Sequence, residues 1–260
     1  MKDVKILVAT HKEYAMPTDD IYLPVQVGAS GRDSIGFQKD DDGENISNKN
    51  DKFCELTALY WAWKNLDVDY VGLNHYRRYF KGKHKFKVGK KNVGVADRRE
   101  IENLLENTDV ILPKKRNYYI ENLYSHYSHT LYVEPLDATG EIISEKYPDY
   151  YAEFLRLKKR TSAHMFNIFV MKKNVFDDYC QWLFDILFEL EKKVDSSKYS
   201  AFHARFFGRV SELLLDVYIN CNDIKYKERA VTGTEKSNFF KKAISFLKAK
   251  LFKKKYEASF

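Results

Sequence analysis

Residues 69–80 read Asp-Tyr-Val-Gly-Leu-Asn-His-Tyr-Arg-Arg-Tyr-Phe. Tyr70, Val71 and Leu73 form a short apolar run of β-favouring residues without proline, which predicts a buried strand. The run ends abruptly in Asn74, His75, Arg77 and Arg78. Open α/β sheets bind ligands outside the carboxyl ends of their strands. Adjacent guanidinium groups there suit an oxyanion, phosphate above all, because each can engage two oxygens at once. A cationic strand end that pairs with nearby carboxylates is the structural alternative.

Upstream, Leu56, Leu59, Tyr60 and Trp63 recur at helical spacing and predict an amphipathic helix beneath the sheet, capped by Asn50 or Asp51. Glu55 lies beside that stripe and is free to face a ligand. Val4–Ala9 reads as the first buried strand. It leads into Thr10-His11-Lys12, a usual nucleotide-contact position in α/β folds, though no glycine fingerprint accompanies it. Ile21–Val27 reads as extended, with Pro24 favouring an edge, and a turn follows at Gly28–Gly31. Asp40-Asp41-Asp42-Gly43 lies in a polar stretch over 38–51. It is read as a solvated loop, with a divalent metal site as the alternative.

Downstream, Lys81–Val95 is rich in Lys and Gly and reads as a mobile basic loop, either plain surface or a lid over an anionic donor. Asp97-x-x-Glu100 is a capping box that opens a helix. Asp109–Leu112 is a strand stopped by Pro113. Asn117–Leu131 interleaves Tyr118, Tyr119, Tyr124, His126, Tyr127 and His129. Rings with polar edges suit carbohydrate in a cleft, and His126 with His129 are candidate metal ligands that lack a third. Two helices then divide at Tyr147-Pro148. Phe166–Met171 reads as a buried strand with Asn167 as its isolated polar residue, and Asn174 as the cap of a long helix. In Arg205-Phe-Phe-Gly-Arg-Val-Ser-Glu212, the acid falls in the first turn of a helix, where the dipole welcomes it. It is either a plain helix-start charge or a general base aimed into the cleft.

The chain has 260 residues and a net charge of +7, unevenly distributed. Lys236–Lys255 holds eight lysines and no acid, and Arg77–Arg99 holds ten Lys or Arg against Asp97 alone. The remainder is net acidic, which argues against a nucleic-acid binder. Cys54, Cys180 and Cys221 show no paired spacing and read as reduced thiols. No stretch reads as a signal peptide or a membrane span, which places the chain in the cytoplasm. The domain is expected over residues 1–235 and a basic tail over 236–260. In that tail Phe240, Ile244, Leu247 and Leu251 line one face and Lys241, Lys242, Lys248 and Lys255 the other. This is the pattern of a helix lying in an anionic membrane interface, with a terminal helix that packs its stripe onto the domain as the alternative.

Several segments together resemble a bacterial family of capsular and exopolysaccharide biosynthesis proteins, long catalogued as a domain of unknown function and regarded as glycosyltransferases. They are Val8-Ala-Thr-His-Lys12, Asn45-Ile-Ser-x-Lys-Asn50, Cys54–Asn65, Gly72–Phe80, Asp109–Lys115, His164-Met-Phe-Asn167 and Gly208-x-x-Ser-Glu-x-Leu-Leu215. The string His75-Tyr-Arg-Arg-Tyr-Phe80 is the most specific. The resemblance spans roughly residues 4–230. It implies a GT-A-like fold, a Rossmann-type α/β/α sandwich that binds a nucleotide-sugar, to which the basic amphipathic helix is appended.

The implied function is transfer of a sugar, with galactose or galactofuranose as candidates, from a UDP-linked donor to a lipid-linked polysaccharide precursor at the inner membrane face. A non-catalytic glycan- or membrane-binding assembly factor is the alternative. Thr10, His11, Lys12, Asn74, Arg77 and Arg78 are expected at the donor, and Tyr76, His164 and Asn167 at the acceptor or sugar. Glu212 is the expected base and His75 the donor of a proton or hydrogen bond to the leaving group. Many GT-A enzymes end the strand corresponding to Tyr70–Leu73 with an Asp-x-Asp that holds Mn²⁺ or Mg²⁺. Here Asn74-His75-Tyr76-Arg77-Arg78 stands in its place, so side-chain cations are expected to do the metal's work.

Overall fold

The computed structural model describes residues 2–235 and Lys255. In chain order the strands are β1 (Val4–Thr10), β2 (Tyr22–Gln26), β3 (Gln38–Lys39), β4 (Tyr70–His75), β5 (Arg78–Val88), β6 (Lys91–Val95), β7 (Val110–Pro113), β8 (Arg116–Asn117), β9 (Ser162–Ala163), β10 (Phe169–Lys172), β11 (Tyr226–Arg229) and β12 (Val231–Gly233). The helices are α1 (Asn50–Phe53), α2 (Leu56–Asn65), α3 (Arg98–Leu104), α4 (Leu123–Thr130), α5 (Glu134–Lys146), α6 (Pro148–Lys159), α7 (Lys173–Lys193) and α8 (Phe206–Cys221).

The sheet runs β11-β7-β10-β4-β1-β2-β3, and β5 continues from β4 to pair with β6 and β12. Strand β1 pairs in parallel with both β2 and β4, with Ala9 level with Val25 on one side and His75 on the other. Strand β10 runs antiparallel to β4 and β7. The chain leaves β1 outward through β2 and β3, then returns to β4 on β1's other side. The carboxyl ends of β1 and β4 therefore form a topological switch point, where adjoining connections diverge and leave a crevice.

Side-chain alternation sorts the two faces. Leu7, Ala9, Val71 and Leu73 pack against the larger core built with α2, α7 and α8. Val4, Ile6, Val8 and Val170 pack against the β5–β6 hairpin and α3. The stripe on α2 docks onto α7, where Tyr60 and Trp63 meet Phe184 with ring centroids 5.0 and 5.9 Å apart. Gly72 allows β4 to sit centrally, because a Cβ there would lie 2.9 Å from the Phe169 carbonyl and 3.0 Å from Ile6.

Several local expectations need correction. Lys81–Val95 is not a loop but most of the β5–β6 hairpin, turned at Gly89 with φ +58°. Lys81, Lys83, Lys85 and Lys87 alternate with less exposed neighbours, a period-two pattern that solvates one face of a ribbon. Asn50 does not cap a helix by its side chain; its Nδ2 donates to the Cys54 carbonyl at 2.7 Å and to Thr57 Oγ1 at 3.1 Å, stapling the break between α1 and α2. The long helix α7 begins at Lys173, with Asn174 inside its first turn. The strand expected from Phe166 starts only at Phe169, because Phe166 and Asn167 take φ of 82° and 50°. Helix α8 starts at Phe206, so Glu212 lies in its second turn, beyond the first-turn dipole.

Asp40 is a framework residue rather than part of a solvated loop. Its carboxylate accepts from the backbone N–H groups of Gly28 and Ala29 at 2.8 and 2.9 Å, from Thr57 Oγ1 at 2.6 Å, and from Ser47 Oγ. Asp41 pairs with Lys39, and Asp42 accepts from Gln38. This node ties the turn after β2 to the start of α2 and so shapes one wall of the crevice. The capping box is present at Asp97 and Glu100, and the helix break falls between α5 and α6 at Tyr147. Apart from Lys255, the basic tail over 236–260 lies outside the described residues.

Candidate functional site

A cavity of about 230 Å³ opens at the switch point. The end of β1 contributes Ala9, Thr10 and His11, and β4 contributes His75. Arg32 enters from the turn after β2, while Cys54 and Glu55 come from the break between α1 and α2. Arg205, just before α8, closes the ring. The sequence reading anticipated Thr10, His11 and His75 at this place and left Glu55 open. It missed Arg32 and Arg205, which belong to connections without periodicity and meet the others only in the fold.

The cavity is positive. His11 is held below the ordinary histidine range by burial first, then by the charges of Lys12, Arg205, Arg77 and Arg32. His75 is driven down to about 3, chiefly by desolvation and then by Arg77 and Arg78. It is therefore neutral at physiological pH. The Arg77 backbone N–H points at His75 Nδ1 at 3.3 Å, which leaves the hydrogen on Nε2. His75 is thus suited to donate a hydrogen bond, and its role as a proton donor loses its support.

The double-arginine string folds into a tight reversal, in which His75 pairs with Arg78 across a turn at Tyr76-Arg77. The two guanidinium groups diverge. Arg77 reaches Glu235 at 3.4 Å on the outside. Arg78 turns inward, 4.4 Å from the Phe166 ring centroid, where it acts on Glu212 and Glu55. Lys12 stands over the rings of Tyr14 and Tyr76 at 5.7 and 5.4 Å.

Beside the cations lies a pair of carboxylates. Asn167 holds Glu55, its Nδ2 donating to Glu55 Oε1 at 2.8 Å and to the Gly208 carbonyl at 3.0 Å. Ser211 Oγ donates to Asn167 Oδ1 at 3.0 Å. The left-handed backbone at Phe166 and Asn167 is costly for residues other than glycine, and it places the amide in this bridge. Gly208 leaves a bare helix face, so Glu55 Oε1 sits 3.6 Å from where a Cβ would be. Glu212 is one turn further along that face. Its carboxyl is pushed up to about 7, first by desolvation and then by Glu55, against a hydrogen bond from the Phe166 N–H and the charges of Arg78 and Arg116.

Three expected contacts are placed elsewhere. His164 is fully buried, with Nδ1 on Asp216 and Nε2 3.0 Å from Glu228 Oε1; it ties α8 to β11 and does not reach the cavity. Tyr76 is buried among His11, Tyr14 and His75, so it supports the cationic rim from below and offers no free face to a sugar. Asn74 points to the face opposite His75, shared with Val8, and its amide atoms are buried without partners. Asn167 acts through Glu55.

Among the described residues, no group of three or more His, Cys, Asp or Glu could hold a metal ion. The pair His126 and His129 flanks Glu121, with His129 Nδ1 2.8 Å from its Oε1. The charged and ring groups that line the crevice are Arg32, Arg205, His11, His75 and one carboxylate, Glu55, so a divalent cation there would meet two guanidinium groups. No helix among the described residues is long and apolar enough to cross a membrane.

A mostly parallel sheet with helices on its faces and a cationic crevice at the switch point defines a Rossmann-type, GT-A-like nucleotide-binding fold. The structure of the WbbM bifunctional glycosyltransferase in its apo form shares that fold, with a TM-score of 0.81 and 33% identity. The match covers 90% of this chain and 46% of that one, so the chain spans about half of WbbM's length. Residues 5–223 match the family model described as domain of unknown function DUF4422, and the chain belongs to that family. No curated protein matches the sequence.

Proposed function

We propose that the protein is a glycosyltransferase that moves a hexose from a UDP-sugar to a lipid-linked precursor of a capsular or exopolysaccharide. The observation that carries this reading is a cationic crevice set directly beside a half-buried carboxylate pair, Glu55 and Glu212. Arg32, Arg205, His11 and Lys12 receive the donor pyrophosphate, with Arg77 swinging from Glu235 to join them. Neutral His75 donates Nε2–H to a leaving-group oxygen. As the bond from the anomeric carbon to the phosphate oxygen breaks, negative charge grows on the nucleoside diphosphate, and fixed cations lower that barrier most.

The acceptor hydroxyl attacks the anomeric carbon in a single displacement. Glu212 takes its proton, and a carboxylate near neutrality is well matched to that task. Arg78 lies between the two halves of the site and keeps the Glu55–Glu212 pair from rejecting both negative charges. The reading is supported by the membership of the chain in its family and by the likeness to WbbM. The basic tail, 236–260, is the segment we assign to the inner membrane face.

The test is a panel of UDP-sugars with purified protein. The matching donor should release UDP and raise the melting temperature, since a ligand at ~100 times its dissociation constant stabilises by about 2.7 kcal/mol. Absence of both effects across the panel would overturn the enzyme reading and leave an assembly factor.

A further inference from the structure

Residues 114–120 read Lys-Lys-Arg-Asn-Tyr-Tyr-Ile and carry the two most exposed large hydrophobic side chains among the described residues, Tyr119 at 86% and Ile120 at 64%. The loop that holds them is built, not slack. The Tyr118 N–H donates to the Thr161 carbonyl at 2.8 Å, the Ile120 N–H to the Tyr118 carbonyl at 2.6 Å, and the Leu123 N–H to the Arg160 carbonyl at 2.7 Å. Asn122 caps α4 through the Ser125 N–H at 2.7 Å. Tyr119 takes φ 51°, a conformation uncommon for an aromatic residue. Short anchored backbone thus holds an aromatic and an aliphatic side chain out in water, which folding alone does not favour.

The charges around this tip identify its partner. Lys114 and Arg116 are exposed on its stem, and the Arg116 guanidinium lies 5.0 Å from the Tyr118 ring centroid. We infer that Lys114–Ile120 is a membrane-contact tip, with Tyr119 and Ile120 entering the headgroup boundary of an anionic bilayer and the stem cations facing its charge. An amphipathic ring beside an aliphatic residue, backed by cations, suits that boundary. Ile120 has no polar edge with which to read a sugar. Two residues also make too small a patch for a stable protein interface. Arg116 acts on Glu212, so the stem borders the carboxylate side of the crevice, and a tip seated on a bilayer would bring that side to the membrane surface.

The experiment is vesicle partitioning of the full chain, with the tail unchanged in every variant. Vesicles of phosphatidylethanolamine with phosphatidylglycerol are compared with phosphatidylcholine alone. Y119S/I120S should weaken partitioning to the anionic vesicles about tenfold or more, from the lost apolar insertion. K114Q/R116Q should weaken it about fivefold per charge at low salt, and that difference should shrink at high salt. Thermal melts should be unchanged, since all four side chains are exposed. Partitioning unaltered in Y119S/I120S would overturn the proposal. Unaltered partitioning with weakened binding of a soluble oligosaccharide would assign the tip to glycan, and a lowered sedimentation mass would assign it to a second copy. None of these readouts needs turnover, so they are independent of the glycosyltransferase reading.

Discussion

Glu212→Gln separates the burial of this carboxyl from its chemistry. In the fold the carboxyl is pushed up to about 7 from an ordinary 4.5. Between those values the folded protein keeps a proton that the unfolded chain releases. Stability therefore falls as pH rises from about 4.5 and levels off above about 7. The loss integrates to about 3 kcal/mol as an upper figure, since one pH unit corresponds to about 1.4 kcal/mol. Gln is neutral throughout and its carbonyl still accepts from the Phe166 N–H. Urea unfolding of both proteins between pH 4.5 and 8.5 should give similar stabilities at the acid end, with the variant increasingly the more stable above it. The two proteins differ only at this carboxyl, so the difference curve reports Glu212 together with its coupling to Glu55. In the donor assay the variant should bind UDP-sugar normally and lose transfer, while kcat/KM of the parent should rise through neutral pH as the base ionises. A stability difference independent of pH would refute the buried-acid account, and near-normal turnover would refute the base.

Glu55→Gln removes the like charge that raises Glu212, so the acid limb of the kcat/KM profile should move to lower pH; an unmoved limb would mean the two carboxyls are not coupled. Arg205→Ala should lower turnover about 10²–10³-fold, as for loss of one oxyanion donor, measured as UDP release at saturating donor. Transfer should survive EDTA, and a loss reversed by Mn²⁺ would show that a metal, not the arginines, carries the leaving-group charge. Gly82→Ala should destabilise by about 1–3 kcal/mol through overpacking, because its Cβ would lie 2.3 Å from Ala96 Cα; an unchanged urea midpoint would contradict that packing.

Much of the fold was legible because it rests on periodicity. The runs at Val4–Ala9, Tyr70–Leu73 and Asp109–Leu112 became β1, β4 and β7, and the stripe on α2 packed into the larger core as its spacing required. The hairpin over 78–95 was missed although its signal was present. Lysines at every second position are a period-two pattern, but with few apolar partners the alternation reads as loop composition. The break at Cys54, with φ 55°, was not legible at all. The Asn50 staple is local but Asn50 reads equally well as a helix cap, and the Arg205 Nε–H bond to Cys54 Sγ at 2.9 Å comes from the tertiary setting.

The same distinction explains which site residues could be read. His11 and His75 sit at the ends of runs that are strands in any fold of this class, so their place at the crevice follows from strand order. Glu55, Asn167 and Glu212 are chemically ordinary one at a time. They become a site because a helix break, a left-handed dipeptide and a glycine on α8 converge. Asn167 could not have been recognised as a bridge from a strand assignment, because a strand side chain stands off one sheet face and nothing in that assignment directs it to Glu55. The bridge uses the two left-handed residues, whose backbone cost is offset by the Asn167 hydrogen bonds to Glu55 and Ser211. The carboxylate pair and the strain that positions it are therefore a single tertiary feature. Its energetic signature is the coupling of Glu55 to Glu212, which no single segment of the chain carries.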